Sequence, residues 1–81
     1  MDFEIIVQPK KEVLDPEGRT ITDTLQRIGF KQLEKVEVSK RYLISIEHTD
    51  FSEAEKQAHL IASSHLSNPV AETYEIHRVE P

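Results

Sequence analysis

Apolar and polar residues alternate near the N-terminus of the chain and then change to a helical spacing. Three apolar residues are separated by single residues, as in a strand: Phe3, Ile5 and Val7. Three others recur at intervals of three and four, as in a helix: Ile21, Leu25 and Ile28. The change of period falls in the stretch VLDPEG, residues 13–18. We therefore predict a strand over 3–7, a hinge at 13–18 and a helix after it.

The hinge residues favour a helix start at Asp15. Its carboxylate can accept an unpaired backbone N–H at the N-cap position, and Pro16 at the first helical position loses no hydrogen bond. Thr20, with Asp23 three residues later, is the alternative start. Gly18 lies in the first turn, where a missing side chain permits close contact with whatever covers it. We predict capping by Asp15 and a close contact at Gly18.

The residues that follow the first helix predict where it ends and indicate two further strands. Gly29 suits the left-handed position just past a helix, and Phe30 can pack back on the last turn. Apolar residues then alternate over 36–38 and again over 42–46, which predicts two strands. We expect these strands to form a hairpin with its turn at 39–41.

A second helix and a last strand complete the pattern. Ser52 and Glu55 have the capping-box spacing at the helix start, and Pro69 ends the helix because the residue before a proline avoids helical geometry. The predicted buried stripe of this helix consists of Phe51, Ala54, Ala58, Ile61, Ala62 and His65. Leu60 lies outside the stripe and is predicted to be exposed. The apolar positions of the last strand are Val70, Tyr74 and Ile76.

The predicted element order β-α-β-β-α-β defines the fold class. With right-handed crossovers it gives one α+β domain over 1–81, a ferredoxin-like fold in which two helices cover one face of a four-stranded antiparallel sheet. The first and third strands are central in this sheet. Ile6 and Leu43 then lie on the face away from the helices, and covering either one would contribute about 1.5–3 kcal/mol. A partner surface or a second copy of the chain is the predicted cover, and two isolated exposed aliphatics are the alternative.

The composition argues against several kinds of partner. Fifteen acidic and ten basic residues give a net charge of −5, which disfavours binding to nucleic acid and to anionic membranes. No apolar run approaches the roughly 18 residues of a membrane span. The chain has no cysteine and begins without a basic, apolar leader, so we expect a cytoplasmic protein.

The residues that could bind a metal ion or take part in catalysis are poorly spaced for either role. His59 and His65 are six residues apart, about 120° around a helix, which prevents chelation from adjacent turns. There is no cysteine nucleophile, and two glycines are too few for a phosphate-binding loop. An acylphosphatase-like enzyme that uses Arg19 and Asn68 is one alternative, and a stand-alone ligand-sensing module is another. We predict no catalytic, cofactor-binding or metal-binding residues.

Several short motifs combine into a resemblance. The most specific are VLDPEG at 13–18 and NPV with a later Tyr and Ile at 68–76, accompanied by LQRIGF at 25–30 and VEVSK at 36–40. Together they closely resemble the PurS family, the small subunits of phosphoribosylformylglycinamidine synthase, over nearly the whole chain. Members of that family usually have Gly where Ser39 stands, a departure that concerns the predicted hairpin.

The resemblance implies a non-catalytic function within an enzyme. In this family a synthetase subunit uses ATP and Mg to activate the formamide oxygen of phosphoribosylformylglycinamide, and a glutaminase subunit releases ammonia from glutamine. The small subunit is implied to be a dimeric adaptor that joins the two subunits, helps retain ammonia and binds no cofactor itself. The ligase reaction is the fourth step of purine synthesis. The residues that we expect at interfaces are Ile6, Asp15, Gly18, Leu43, Asn68, Pro69 and Tyr74.

Overall fold

The computed structural model describes residues 1–10 and 15–80 as an α+β arrangement. Its regular elements are β1 (Asp2–Pro9), α1 (Pro16–Arg27), β2 (Lys40–Ser45), α2 (Phe51–Ile61) and β3 (Glu72–Val79). A π-helical turn at Ala62–Leu66 extends α2. No helix within these ranges is long and apolar enough to cross a membrane. Residues 13 and 14 of the predicted hinge lie outside the described ranges.

The three strands form an antiparallel sheet with the order β2-β1-β3. Ile5 of β1 stands opposite Tyr42 on one side and Ile76 on the other, which defines the register of both pairs. The first strand is central, as predicted. The strand that contains Tyr42 lies at an edge, where the prediction had placed it in the centre.

The prediction of four strands is wrong for the described residues, because 36–38 do not form a strand. A two-residue hairpin turn needs residues that adopt positive φ, usually Gly, Asn or Asp, whereas 39–41 are Ser, Lys and Arg. Among the described residues only Gly29 has a positive φ. The chain therefore passes from 36–38 into β2 without a turn.

The core lies between β1 and α2. The buried strand residues are Phe3, Ile5 and Val7, and the buried helical residues are Ala54, Ala58 and Ala62. Alanine has no side chain beyond Cβ, so α2 can lie close to the sheet and exclude water from the larger strand residues. The predicted stripe is confirmed except at His65, which is exposed because the π-helical turn rotates it out of line. Leu60 is 63% exposed, as predicted.

The starts of α2 and β3 differ from the predictions by a few residues. Asp50, rather than Ser52, caps α2, and Asp50 Oδ1 accepts the Ser52 N–H at 2.9 Å. Phe51 is thereby included in the helix, where its ring stacks on the buried Phe3 with centroids 6.0 Å apart. Val70 lies before β3 and is 81% exposed, since the chain is still turning at this point.

The first helix does not cover the sheet, contrary to the prediction of two helices on one face. No α1 residue belongs to the clusters of buried side chains found in the described ranges, and only Gly18 of α1 is buried. The radius of gyration is 16.3 Å, compared with about 12 Å for a compact chain of this length. The longest dimension is 52 Å, whereas a strand of 8 residues such as β1 spans about 27 Å. Therefore α1 and the residues after it project from the sheet.

Candidate functional site

The projecting part of the chain, residues 15–39, is a helix fastened to an extended segment and is termed the arm. Asp15 begins it: Oδ1 of the carboxylate accepts the Gly18 N–H at 3.0 Å, and Oδ2 accepts the Val38 N–H at 3.1 Å. Pro16 occupies the first helical position. The prediction that Asp15 caps the helix is confirmed. The same carboxylate also holds the extended segment that returns beside α1.

Two further side chains continue this attachment along α1. Thr22 Oγ1 donates to the Gly18 carbonyl oxygen and accepts the Val36 N–H, both at 2.8 Å. Gln26 Nε2 donates to the Leu33 carbonyl oxygen at 2.7 Å. The sequence-based prediction missed Thr22 and Gln26, although they follow Gly18 at successive spacings of four, which places all three on one helix face. Side chains of α1 thus supply hydrogen bonds that a neighbouring strand would otherwise make.

Gly18 is a point of very close approach between the two parts of the arm. It is buried, and a Cβ built on it would overlap Asp15 Oδ2 and the Val36 carbonyl oxygen. The missing side chain therefore lets the extended segment lie against the first turn of α1. The predicted close contact at Gly18 is confirmed, and it is made within the chain.

The distal end of the arm is apolar and open. The Gly29 φ of +127° permits a Schellman ending, in which the Gly29 and Phe30 N–H groups donate to the carbonyls of Gln26 and Leu25. Ile28 is 66% exposed and Phe30 is 60% exposed. An open pocket of about 420 Å³ lies here, lined by Leu25, Gly29, Phe30, Lys31, Gln32 and Leu33. This arm tip is a candidate contact surface, because the described part of the chain leaves it largely uncovered.

The face of the sheet away from α2 carries a second candidate surface. Leu43 is 56% exposed there and stands opposite Glu4, while the half-buried Ile6 stands opposite Arg41. Arg41 Nε donates to the Glu4 carboxylate, so this ion pair flanks both aliphatic side chains. The outward position of Ile6 and Leu43 is confirmed. Their contact with a partner stays a prediction.

The NPV motif builds a hydrogen-bonded turn before β3. Asn68 Oδ1 accepts the Val70 N–H at 3.0 Å, and the Asn68 carbonyl oxygen accepts the Glu72 N–H at 2.7 Å. The Asn68 N–H in turn donates to the Glu72 carboxylate at 2.8 Å. Pro69 is exposed in this turn, whereas Tyr74 is half-buried against the core. The predicted interface role of Asn68, Pro69 and Tyr74 stays a prediction.

Some of the polar groups considered as candidates for chemistry are engaged in structural contacts. Hydrogen bonds lower the pKa of Asp15, first the bond from the Gly18 N–H and then that from the Val38 N–H, as expected of a cap. Arg19 is exposed on α1, and the Asn68 side chain is already bonded to Val70. Across residues 1–10 and 15–80, no three His, Cys, Asp or Glu side chains are grouped so as to hold a metal ion.

The fold and these surfaces define a small α+β protein with a short sheet, a projecting arm and two exposed apolar patches. A family model described as PurS, phosphoribosylformylglycinamidine (FGAM) synthase, matches residues 2–80. The chain belongs to this family.

Individual relatives match along nearly their whole length. The chain is 34% identical over 76 residues to phosphoribosylformylglycinamidine synthase subunit PurS of Archaeoglobus fulgidus, covering 94% of this chain and 95% of the relative. The solved structure of Methanocaldococcus jannaschii PurS is 32% identical, with a TM-score of 0.82 and 98% coverage of both chains. A chain in the structure of PurLQS from Thermotoga maritima is 28% identical, with a TM-score of 0.84, covering 96% of this chain and 95% of that one. Because the coverage is nearly complete, the likeness includes the arm as well as the sheet.

Proposed function

We propose that this chain is the small, non-catalytic subunit of FGAM synthase, an adaptor that joins a synthetase subunit to a glutaminase subunit. Membership of the PurS family supports this proposal, as does the likeness to a chain of the Thermotoga maritima PurLQS structure. The structural observation that best supports the adaptor role is the exposed apolar surface at the arm tip and on the outer face of the sheet. Ile28, Phe30 and Leu43 are each more than half exposed there.

In the proposed assembly the larger subunits supply the chemistry. The synthetase subunit uses ATP with Mg to activate the formamide oxygen of phosphoribosylformylglycinamide, and the glutaminase subunit hydrolyses glutamine to ammonia. Ammonia then displaces the activated oxygen and gives the amidine. The chain described here holds the two subunits together, limits the escape of ammonia and binds no cofactor itself. The assembly works in the cytoplasm as part of purine synthesis.

We further propose that the chain functions as a homodimer. Its own core is thin, because three of the six buried hydrophobic residues in the described ranges are alanines: Ala54, Ala58 and Ala62. Chains of this size bury only about 60% of the surface that they expose when unfolded, so additional burial in a dimer stabilises them. The order β2-β1-β3 is that of a ferredoxin-like sheet lacking one edge strand. We propose that the four-stranded sheet is complete in the dimer.

Reconstitution with purified synthetase and glutaminase subunits tests the adaptor role. The chain alone should show no glutaminase, ATPase or acylphosphatase activity, and adding it to both subunits should raise glutamine-dependent amidine formation. With ammonium salt in place of glutamine, the dependence on the chain should be much smaller, since no coupling to a glutaminase is needed. The adaptor proposal fails if the chain leaves glutamine-dependent turnover unchanged. It also fails if the isolated chain hydrolyses an acyl phosphate and Arg19→Ala abolishes that activity.

A further inference from the structure

The edge of β3 that faces away from β1, termed the β3 edge, has no neighbouring strand in the described sheet. The pairing of β3 with β1 runs without interruption from Asp2 opposite Val79 to Pro9 opposite Glu72, so the strand contains no bulge. Natural edge strands are commonly protected against further pairing by bulges, prolines or lysines. The sequence of β3, ETYEIHRV, contains neither proline nor lysine. The β3 edge can therefore accept another strand.

The ladder between β1 and β3 shows which residues face this edge. Just before β3, the Lys10 N–H donates to the Ala71 carbonyl oxygen at 2.9 Å. In an antiparallel ladder, residues that bond to one neighbouring strand alternate with residues whose bonding groups point to the other side. The odd-numbered residues of β3 therefore bond to β1. The N–H and C=O groups that point outward belong to the even-numbered residues, among them Tyr74, Ile76 and Arg78.

The side chains of β3 alternate between the two faces of the sheet. Ile76 packs against the core on the side of α2, and Arg78 Cζ lies on that side, 4.6 Å from the centroid of the Phe51 ring. Glu75 and His77 lie on the outer face, where His77 Nε2 is 3.2 Å from a Glu75 carboxylate oxygen. Both side chains are exposed. The β3 edge thus presents a carboxylate and an imidazole two residues apart on one face.

We propose that two copies of the chain pair antiparallel along the β3 edge, about a two-fold axis at Ile76. A two-fold contact requires a surface that complements itself. In this register Glu75 of each copy stands opposite His77 of the other, so carboxylates and imidazoles alternate both along and across the two strands. Opposed pairs that attract stabilise a sheet, whereas like charges in opposition destabilise it. This self-complementarity favours a second copy over an unrelated strand.

The helix side of the sheet also accommodates this register. Ile76 stands opposite itself, and Tyr74 stands opposite Arg78. The like-charged pair, Glu72 opposite Glu80, falls at the end of the strand, where Arg78 Nε lies 3.3 Å from the Glu80 carboxylate. Because α2 covers β1, the two helices are three strand spacings apart, about 14 Å. This separation exceeds the helix diameter of about 10–12 Å, so the helices do not collide.

The β3 contact goes beyond the function proposed above and is distinct from the homodimer proposed there. That homodimer completes a four-stranded sheet, whereas pairing at the β3 edge joins two sheets into one. With both contacts present, the assembly is a tetramer. Loss of the β3 contact alone therefore halves its mass.

Disulfide trapping tests the register. The chain has no cysteine, so Glu75→Cys and His77→Cys each introduce a single thiol. Position 75 of one copy and position 77 of the other form a non-bonded pair with Cα atoms about 4.5 Å apart, within the roughly 4.4–6.8 Å range of disulfides. Two copies of the same position are diagonal neighbours about 7–8 Å apart. When the two variants are refolded together and oxidised, mass spectrometry should therefore show mainly the mixed disulfide. A statistical mixture of mixed and like disulfides, or no disulfide at all, would overturn the proposal.

A charge exchange tests the contact in the unmodified assembly. His77→Glu sets carboxylates opposite each other, and light scattering should show half of the wild-type mass. The double variant Glu75→His with His77→Glu restores the complementary pairs and should restore the wild-type mass. His65→Glu, at an exposed position on the turn after α2, is the control and should leave the mass unchanged. Circular dichroism should show that all three variants are folded.

The outcomes of these experiments are independent of the adaptor role, because neither readout uses turnover. A wild-type monomer would overturn the β3 contact, as would a mass that His77→Glu leaves unchanged. A charge exchange that fails to restore the mass lost in His77→Glu would also overturn it. Failure of reconstitution by an assembly that forms the mixed disulfide would instead sink the adaptor role alone.

Discussion

Asp15 Oδ2 accepts the Val38 N–H across 23 positions of the chain, at 3.1 Å. Because Oδ1 of the same carboxylate caps α1 at Gly18, one side chain both starts the helix and fastens the extended segment to it. The two parts of the arm are therefore held together by contacts within the arm itself.

Asp15→Asn should loosen the extended segment while keeping most of the helix cap. The amide oxygen of Asn can still accept the Gly18 N–H, but its NH₂ group cannot accept the Val38 N–H. We expect faster hydrogen exchange of the Val38 amide, a smaller change at Gly18, and a lower urea midpoint. Asp23→Asn removes the same charge from an exposed site on α1 and serves as control. If the Val38 amide is equally protected from hydrogen exchange in both variants, the hydrogen bond from Val38 to Asp15 is contradicted.

The stability of the arm should depend on pH in the acid range. The pKa of Asp15 lies below its ordinary value, mainly because of the Gly18 N–H and then the Val38 N–H. A carboxyl group whose folded pKa is lowered contributes its full stabilisation above the unfolded pKa of about 3.9 and loses it as the pH falls through the lowered value. The amide chemical shifts of Gly18 and Val38, followed by NMR, should move together as the pH falls below the unfolded pKa of about 3.9. In Asp15→Asn this acid transition should disappear.

Gly18→Ala should destabilise the arm even though alanine favours helices. The gain in helix propensity is about 1 kcal/mol, but the new Cβ overlaps Asp15 Oδ2 and the Val36 carbonyl oxygen. Overpacking of this kind costs roughly 1–3 kcal/mol. Chemical denaturation should therefore show a net loss, and Gly18→Leu should impair folding or assembly more severely. Thr20→Ala, at an exposed position close to Gly18, is the control. A Gly18→Ala protein that is more stable than wild type would refute the close contact.

Gly29→Ala should destabilise the arm for a different reason. A Cβ at Gly29 meets no atom within 4 Å, so there is space for it, but its φ of +127° is strained for any L side chain. We expect a loss of about 1–2 kcal/mol from the backbone alone, with frayed amide protection at the end of α1. Gly29→Asn should cost less, since Asn tolerates left-handed geometry better than Ala. Equal losses for Ala and Asn would contradict this explanation.

Leu43→Gln should separate folding from assembly. Leu43 is 56% exposed on the outer sheet face, so its replacement should change unfolding free energy by no more than about 0.5 kcal/mol. If this face contacts a larger subunit, the variant should bind the synthetase and glutaminase subunits more weakly in a sedimentation assay. Leu60→Gln, on the exposed side of α2, is the matched control. Unchanged binding by Leu43→Gln would leave the outer sheet face without the predicted role.

Much of the local structure follows from short stretches of the chain. Asp15-Pro16 and Gly29 start and end α1 as predicted, because capping and left-handed backbone geometry depend only on residues within one turn. The burial of Phe3, Ile5 and Val7 follows from their alternation. The resemblance to the PurS family likewise rests on short motifs such as VLDPEG, and the match to residues 2–80 confirms it.

The sequence by itself thus determined the individual helices, the central strand and the family, whereas the tertiary structure decided how they are placed. Alternation at Val36 and Val38 indicates an extended backbone but does not say which neighbour satisfies its N–H groups. In the folded chain that neighbour is a helix, through Asp15 and Thr22, rather than a strand. Apolar residues on α1 similarly predict a buried face without specifying what buries it. Long-range contacts settle such choices, because strand edges and apolar faces are each compatible with several partners.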